Sequence, residues 1–135
     1  VTQLLLGFDA QIARWVGERS KVYDFGPCRA IGVVREGNIV AGVVYSNFRS
    51  GNIEATLAAD DPRWCSRGVL RGLFRYPFVQ LGCRRITCIV AADNPRSLKL
   101  CLGLGFALEG RCRQVFGSVD GLICGMLADE CKWIN

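Results

Sequence analysis

Arginines stand at positions 63, 67, 71 and 75, each four residues apart, around the stretch Ser66-Arg67-Gly68-Val69-Leu70. That stretch leads a strand-like segment, "IEATLAADDPRWC", into a helix-like one. Free backbone N–H groups at a helix start bind phosphate oxygens. Gly68 has no side chain to hold a ligand off. If the helix begins near Ser66, Arg67, Arg71 and Arg75 form a slowly drifting stripe along one side. The chemistry on offer is a diphosphate seat flanked by guanidinium groups. A solvated basic face on an ordinary helix has the same pattern.

A second stretch, "NPRSLKLCLGLGF" (94–106), spaces Asn94, Ser97, Cys101 and Gly105 by three, four and four residues. Asn94 and Cys101 are two helical turns apart and share a face. Read alone, this is an Asn cap, a buried thiol and a Gly stop. The chain has no histidine, which excludes Ser-His and Cys-His catalysis within it. Its eight cysteines (28, 65, 83, 88, 101, 112, 124 and 131) include no CxxC pair, so the usual zinc spacing is missing and no metal is called for. Several lie in apolar strands such as "RRITCIV" and read as reduced, buried thiols.

These groups must be positioned by a chain of 135 residues, half of them hydrophobic, with a net charge of +5. This suits one domain, 1–135, with a sizeable core. The positive balance favours phosphate-bearing partners without naming one. No apolar run approaches the ~20 residues of a membrane span, and "VTQLLLGFDAQIARW" has no basic leader, so it reads as mature protein. A helix capped by Asp9 runs to about Ser20. Two strands within 28–48 join at Glu36-Gly37-Asn38, and "NIEATLAA" is a third. A helix from about Ser66 to Gly82 is broken or kinked at Pro77. "CRRITCIVAA" alternates as a strand. A helix capped by Asn94, with Pro95 first, ends at Gly105. Two last strands flank a turn within 117–121. The order predicts an α/β fold with a mixed sheet and crossover helices.

Together, the two stretches resemble the signatures of the GNAT superfamily of acyl-CoA-dependent N-acetyltransferases. Its pyrophosphate signature (Gln or Arg, two residues, Gly, one residue, Gly or Ala) falls on Cys65, Gly68 and Leu70, and Arg67-Gly68 is the part that matches. Its later signature is met by Asn94, Ser97, Gly105 and Phe106, with Cys101 where the family often has Tyr. "LEGRCR" (108–113) and "DGLICGMLADECKW" (120–133) resemble the branch that modifies ribosomal-protein N-termini and small amines. The likeness spans about residues 28–133.

The resemblance implies a GNAT-like acyl-CoA N-acyltransferase fold, with a mixed, mostly antiparallel central sheet and flanking helices. It implies acetyl transfer from acetyl-CoA, as cosubstrate, to a primary amine: a protein N-terminus, a lysine or a small amine. Pantetheine would lie along Ala58 and Ala59. Amides of Arg67, Gly68, Val69 and Leu70 would hold the pyrophosphate, with Arg71 in reach of a phosphate. Asn94 and Ser97 would line the far side. The candidate catalytic positions are Glu54, to accept the amine proton, and Cys101. A thiol has a reference pKa of ~8.5 against ~10 for tyrosine, so Cys101 is either a proton donor in the place of Tyr or a packing residue. Its apolar neighbours should raise its pKa. Asp60 and Asp61 either attract a cationic substrate or end the strand. Two alternatives stand beside this reading. One is an acyl-CoA-binding protein without catalysis. The other is a basic nucleic-acid-binding module, disfavoured because only Phe74 and Tyr76 are interleaved with the arginines. A cytoplasmic setting, no membrane partner and room for a homodimer complete the expectation.

Overall fold

A computed structural model describes residues 2–135. Strand β1 (Thr2–Leu5) leads into helix α1 (Asp9–Ser20), then β2 (Cys28–Arg35), β3 (Asn38–Arg49) and β4 (Asn52–Ala59). A 3-10 turn, Pro62–Trp64, precedes α2 (Arg67–Arg75), and a π turn, Tyr76–Gln80, follows it. Then come β5 (Arg85–Ala91), α3 (Pro95–Leu104), β6 (Ala107–Phe116) and β7 (Val119–Leu127). The strands form one sheet in the order β1-β2-β3-β4-β5-β7-β6. Only β4 and β5 run parallel, joined by α2 as the crossover; every other pairing is antiparallel. The α/β class and the mixed, mostly antiparallel sheet therefore stand.

Local chemistry explains most boundaries. Glu36 and Gly37, at φ 53° and 80°, turn β2 into β3 with the twist that hairpins favour. Asn94 Oδ1 accepts from Ser97 N at 3.2 Å, and Gly105, at φ 114°, closes α3. Pro77 cannot donate to the carbonyl four residues back. That carbonyl, Leu73 O, instead accepts from the buried Tyr45 hydroxyl at 2.6 Å. The chain widens into the π turn, with Leu81 N donating to Tyr76 O at 3.0 Å.

One expectation is corrected, and one strand joins those read from the sequence. Asp9 does not cap α1: Phe8 holds the cap position without a side-chain bond. The Asp9 carboxylate instead accepts from Ala30 N at 3.0 Å and faces Arg29 at 3.5 Å, tying the helix start to β2. And β1, four residues without alternation, is a strand only because β2 offers it an edge from Thr2↔Arg35 to Leu5↔Gly32.

Strand alternation divides the core. On one face, α1 sets Ile12 and Val16 onto Ala30 and Val44. The fit is close because the floor is glycine: a Cβ at Gly42 would lie 2.9 Å from Val16 Cγ2, and one at Gly32 2.6 Å from Ile12 Cδ1. On the other face, α2 and α3 cover Val43, Tyr45, Ile53, Ile86 and Cys88 in the larger cluster.

Candidate active site

The sheet is interrupted at its centre. β4 and β5 pair only from Asn52↔Arg85 to Glu54↔Thr87. Beyond that the strands part, while β4 stays bonded to β3 as far as Ala59 and β5 to β7 as far as Ala91. The facing edges of Ala55–Ala59 and Cys88–Ala91 are left without a partner strand, and both border a cleft of about 440 Å³. Unpaired strand edges present N–H and C=O groups that an extended, amide-bearing ligand can satisfy.

Of the expected residues, Ala58, Ala59, Asn94, Ser97 and Cys101 line this cleft. Arg67 and Leu70 line a second groove of about 560 Å³ between the start of α2 and α3. Cys65, Arg96 and Leu100 border both, so the two are continuous. Val69 turns into the core, and neither Gly68 nor Arg71 is among the residues lining either groove.

Ser66 caps α2, its Oγ accepting from Val69 N at 3.3 Å, while Leu70 N donates to Ser66 O at 3.0 Å. The amides of Val69 and Leu70 are thus committed within the chain. Those of Arg67 and Gly68 have no acceptor among the described residues. Gly68 is exposed, and a Cβ there would meet nothing within 4 Å. Arg67, Arg96 and Lys99 border the groove with no carboxylate among its lining residues. Trp133, which the sequence did not single out as a site residue, closes one side, its Nε1 donating to Leu104 O at 2.8 Å and the Arg67 guanidinium 5.9 Å from its ring. Two free amides at a helix start among uncompensated cations suit a diphosphate.

Glu54 stands at the root of the opening, in the last β4–β5 register pair, and is not among the cleft-lining residues. Asn47 Nδ2 donates to its Oε2 at 3.0 Å. Asn47 reaches it because β3 is irregular between Ser46 and Arg49, with Asn47 at φ 52°. The tolerance of Asn for left-handed backbone was the one signal for this partner in the sequence. Asp60 is held bidentately by Arg19 at 2.9 and 3.0 Å, with that guanidinium 3.6 Å from the Trp15 ring centre. Asp61 accepts from the Arg63 side chain and backbone, which pulls its carboxyl down to about 2. Both aspartates are thus already balanced by arginine.

Cys101 departs from expectation. Cys88 on β5 stands beside it in the cleft wall and lowers its pKa from the ordinary thiol value, against the opposing effect of burial. Cys88 itself is pushed well above that value by Cys101 and by burial. The apolar α3 neighbours pointed the other way, because a partner 13 residues off on another element leaves no mark in the helix pattern. All eight cysteines carry free thiols.

No known family's sequence pattern matches the chain, and no curated protein matches it in sequence. Solved structures do match it. The spermidine/spermine N-acetyltransferase of Vibrio cholerae, in mutant form, superposes with a TM-score of 0.75 at 16% identity, covering 96% of each chain. A dodecameric structure of the spermidine N-acetyltransferase from the same organism gives 0.69 at 16%, over 95% of this chain and 94% of that one. The ribosomal-protein-S5-alanine acetyltransferase of Vibrio fischeri gives 0.71 at 16%, over 97% and 95%. With its parted central strands and crossover helix, the chain has the fold of the GNAT N-acetyltransferases.

Proposed function

We propose that the protein transfers an acetyl group from acetyl-CoA to a primary amine. The observation that carries this reading is the parting of β4 and β5 beyond Glu54 and Thr87, at the mouth of which the free amides of Arg67 and Gly68 begin α2. Bound coenzyme A supplies an activated thioester. The strand edges at Ala58 and Ala59 bind its amide-bearing arm. Arg67 and Gly68 take the diphosphate, and Asn94 and Ser97 close the opposite wall.

Glu54 accepts the proton that an ammonium must lose before it can attack. Asn47 fixes the carboxylate in place. Cys101 sits on the cleft wall within reach of the cofactor arm, and there it packs α3 against β5. Because Asp60 and Asp61 are engaged by Arg19 and Arg63, they add no free negative charge for a polycation. The reading favours a single amine, whether a protein N-terminus, a lysine or a small amine. Cytoplasmic residence belongs to the same reading. No helix of the described residues is long and apolar enough to cross a membrane.

The test is direct. Acetyl-CoA at a hundred times its dissociation constant should stabilise the fold by about 2.7 kcal/mol. Release of free coenzyme thiol should then be followed over a panel of peptides, polyamines and aminoglycosides. An unmoved melting curve together with no calorimetric heat refutes the reading. Binding without turnover on any amine favours a protein that holds acyl-CoA without catalysis.

A further inference from the structure

Behind the cleft, between the sheet and helices α2 and α3, lies an apolar cavity of about 50 Å³. Its back wall includes Val43, Leu73, Phe74, Ile86, Leu104 and Phe106. Its front is shared with the cleft: Ala55, Leu57, Trp64, Cys88 and Cys101 line both. The two spaces are therefore neighbours, with these five side chains as the wall between them.

The cavity is built for hydrocarbon. Its one hydroxyl, Tyr45 Oη, is spent on Leu73 O at 2.6 Å. Among the described residues the only buried side-chain polar atom without a partner is Ser20 Oγ, which is not part of this wall. A water placed there would find no set of hydrogen-bond partners, and apolar cavities of this kind stay dry. Since one water needs ~10–15 Å³ of such space, the volume has room for roughly three heavy atoms. Its position is as informative as its lining. Cys101 is two helical turns along α3 from Asn94, at the inner end of the cleft wall rather than at the diphosphate end. The reactive end of the cofactor arm is the part that comes there.

We propose that this cavity receives the end of an acyl chain longer than acetyl, so that beside acetyl-CoA the protein takes short-chain acyl-CoA donors of up to about four carbons. The inference rests on the acyl-transfer reading and deepens it. The reaction balances as for acetyl: the thioester C–S bond breaks and the amide C–N bond forms, while the ammonium gives up two protons, one ending on the departing coenzyme thiol and one released to solvent. Ala55, Cys88 and Cys101 form the gate, and Val43 and Leu73 set the depth.

Calorimetric titration of the purified protein with acetyl-CoA, butyryl-CoA and free coenzyme A tests this. Two methylenes leaving water for an apolar pocket should tighten binding about tenfold from acetyl to butyryl. Val43→Leu, which fills the cavity from behind, should shrink that ratio to about twofold. Leu73→Ala, which deepens it, should move the tightest binding to a longer chain; it serves as the second variant should Val43→Leu fail to fold. Butyryl-CoA binding no tighter than acetyl-CoA in the wild type overturns the inference and leaves the transfer reading intact. Failure of all three ligands to bind overturns the transfer reading itself, and the acyl pocket with it.

Discussion

Gly68 offers the sharpest handle on the diphosphate seat. It is exposed at the first turn of α2, and an added Cβ would meet nothing within 4 Å. A side chain there leaves the fold intact, and replacing glycine in a helix gains up to about 1 kcal/mol from lost chain freedom. Gly68→Glu would place a carboxylate beside the free amides of Arg67 and position 68. At roughly 5 Å from a phosphate and an effective dielectric of about 40, one pair of like charges costs about 1.7 kcal/mol. That is nearly twentyfold in the dissociation constant for coenzyme A. Gly68→Gln has the same bulk without the charge, so the Glu/Gln ratio isolates the electrostatic part. Titration calorimetry at low and at high salt adds a second signature. The ratio should collapse as the Debye length falls from ~30 Å at 0.01 M toward ~3 Å at 1 M. Equal affinities of the Glu and Gln variants at low salt, with both melting at or above the wild type, would mean that no anion sits at this helix start.

Three further outcomes are expected. Glu54→Gln should lower kcat/KM for the amine by roughly 10²- to 10⁴-fold while leaving acyl-CoA affinity within a few-fold, as expected for a general base; an unchanged rate assigns the proton to solvent. Cys101→Ala and Cys101→Ser should both stay within a few-fold of wild type in turnover; a hundredfold loss in Ala alone would make the thiol the proton donor. In the same series, alkylation of Cys101 by iodoacetamide should rise at a lower pH than for an ordinary thiol, and Cys88→Ala should move that rise upward by removing the neighbouring thiol. Acid should destabilise the fold at a defined point. Arg63, Arg85 and Arg111 hold Asp61, Glu109 and Asp120 below the usual carboxylate range. The unfolded chain therefore takes up protons first as pH falls, and stability drops between about pH 4 and 2. Thermal melts that stay flat through that range would contradict the pairing.

The features legible in the amino-acid order are short-range. A Glu-Gly-Asn turn, an Asn-Pro start and a Gly at a left-handed stop act through a few adjacent backbone groups, so positions 36–38, 94–95 and 105 were readable from type and spacing. Strand alternation placed β5, and Pro77 announced a kink or an end in the helix from Ser66. The resemblance carried at Arg67-Gly68 and at 94–106 pointed to the fold that the solved structures share. The remaining features depend on groups far apart in the chain. Asn47 meets Glu54 across an irregular strand edge, and Arg19 neutralises Asp60 from 41 residues away. β4 parts from β5 beyond Glu54 and Thr87 while each stays paired with its outer neighbour, a pattern that involves four strands at once. The neighbouring Cys88 turns the pKa of Cys101 the opposite way from what α3 alone implied, because a thiol on another element acts against the effect of burial. The cavity behind that pair exists because side chains from α2, α3 and three strands meet without filling the last 50 Å³, and packing of that kind is a property of the assembled core rather than of any segment in it.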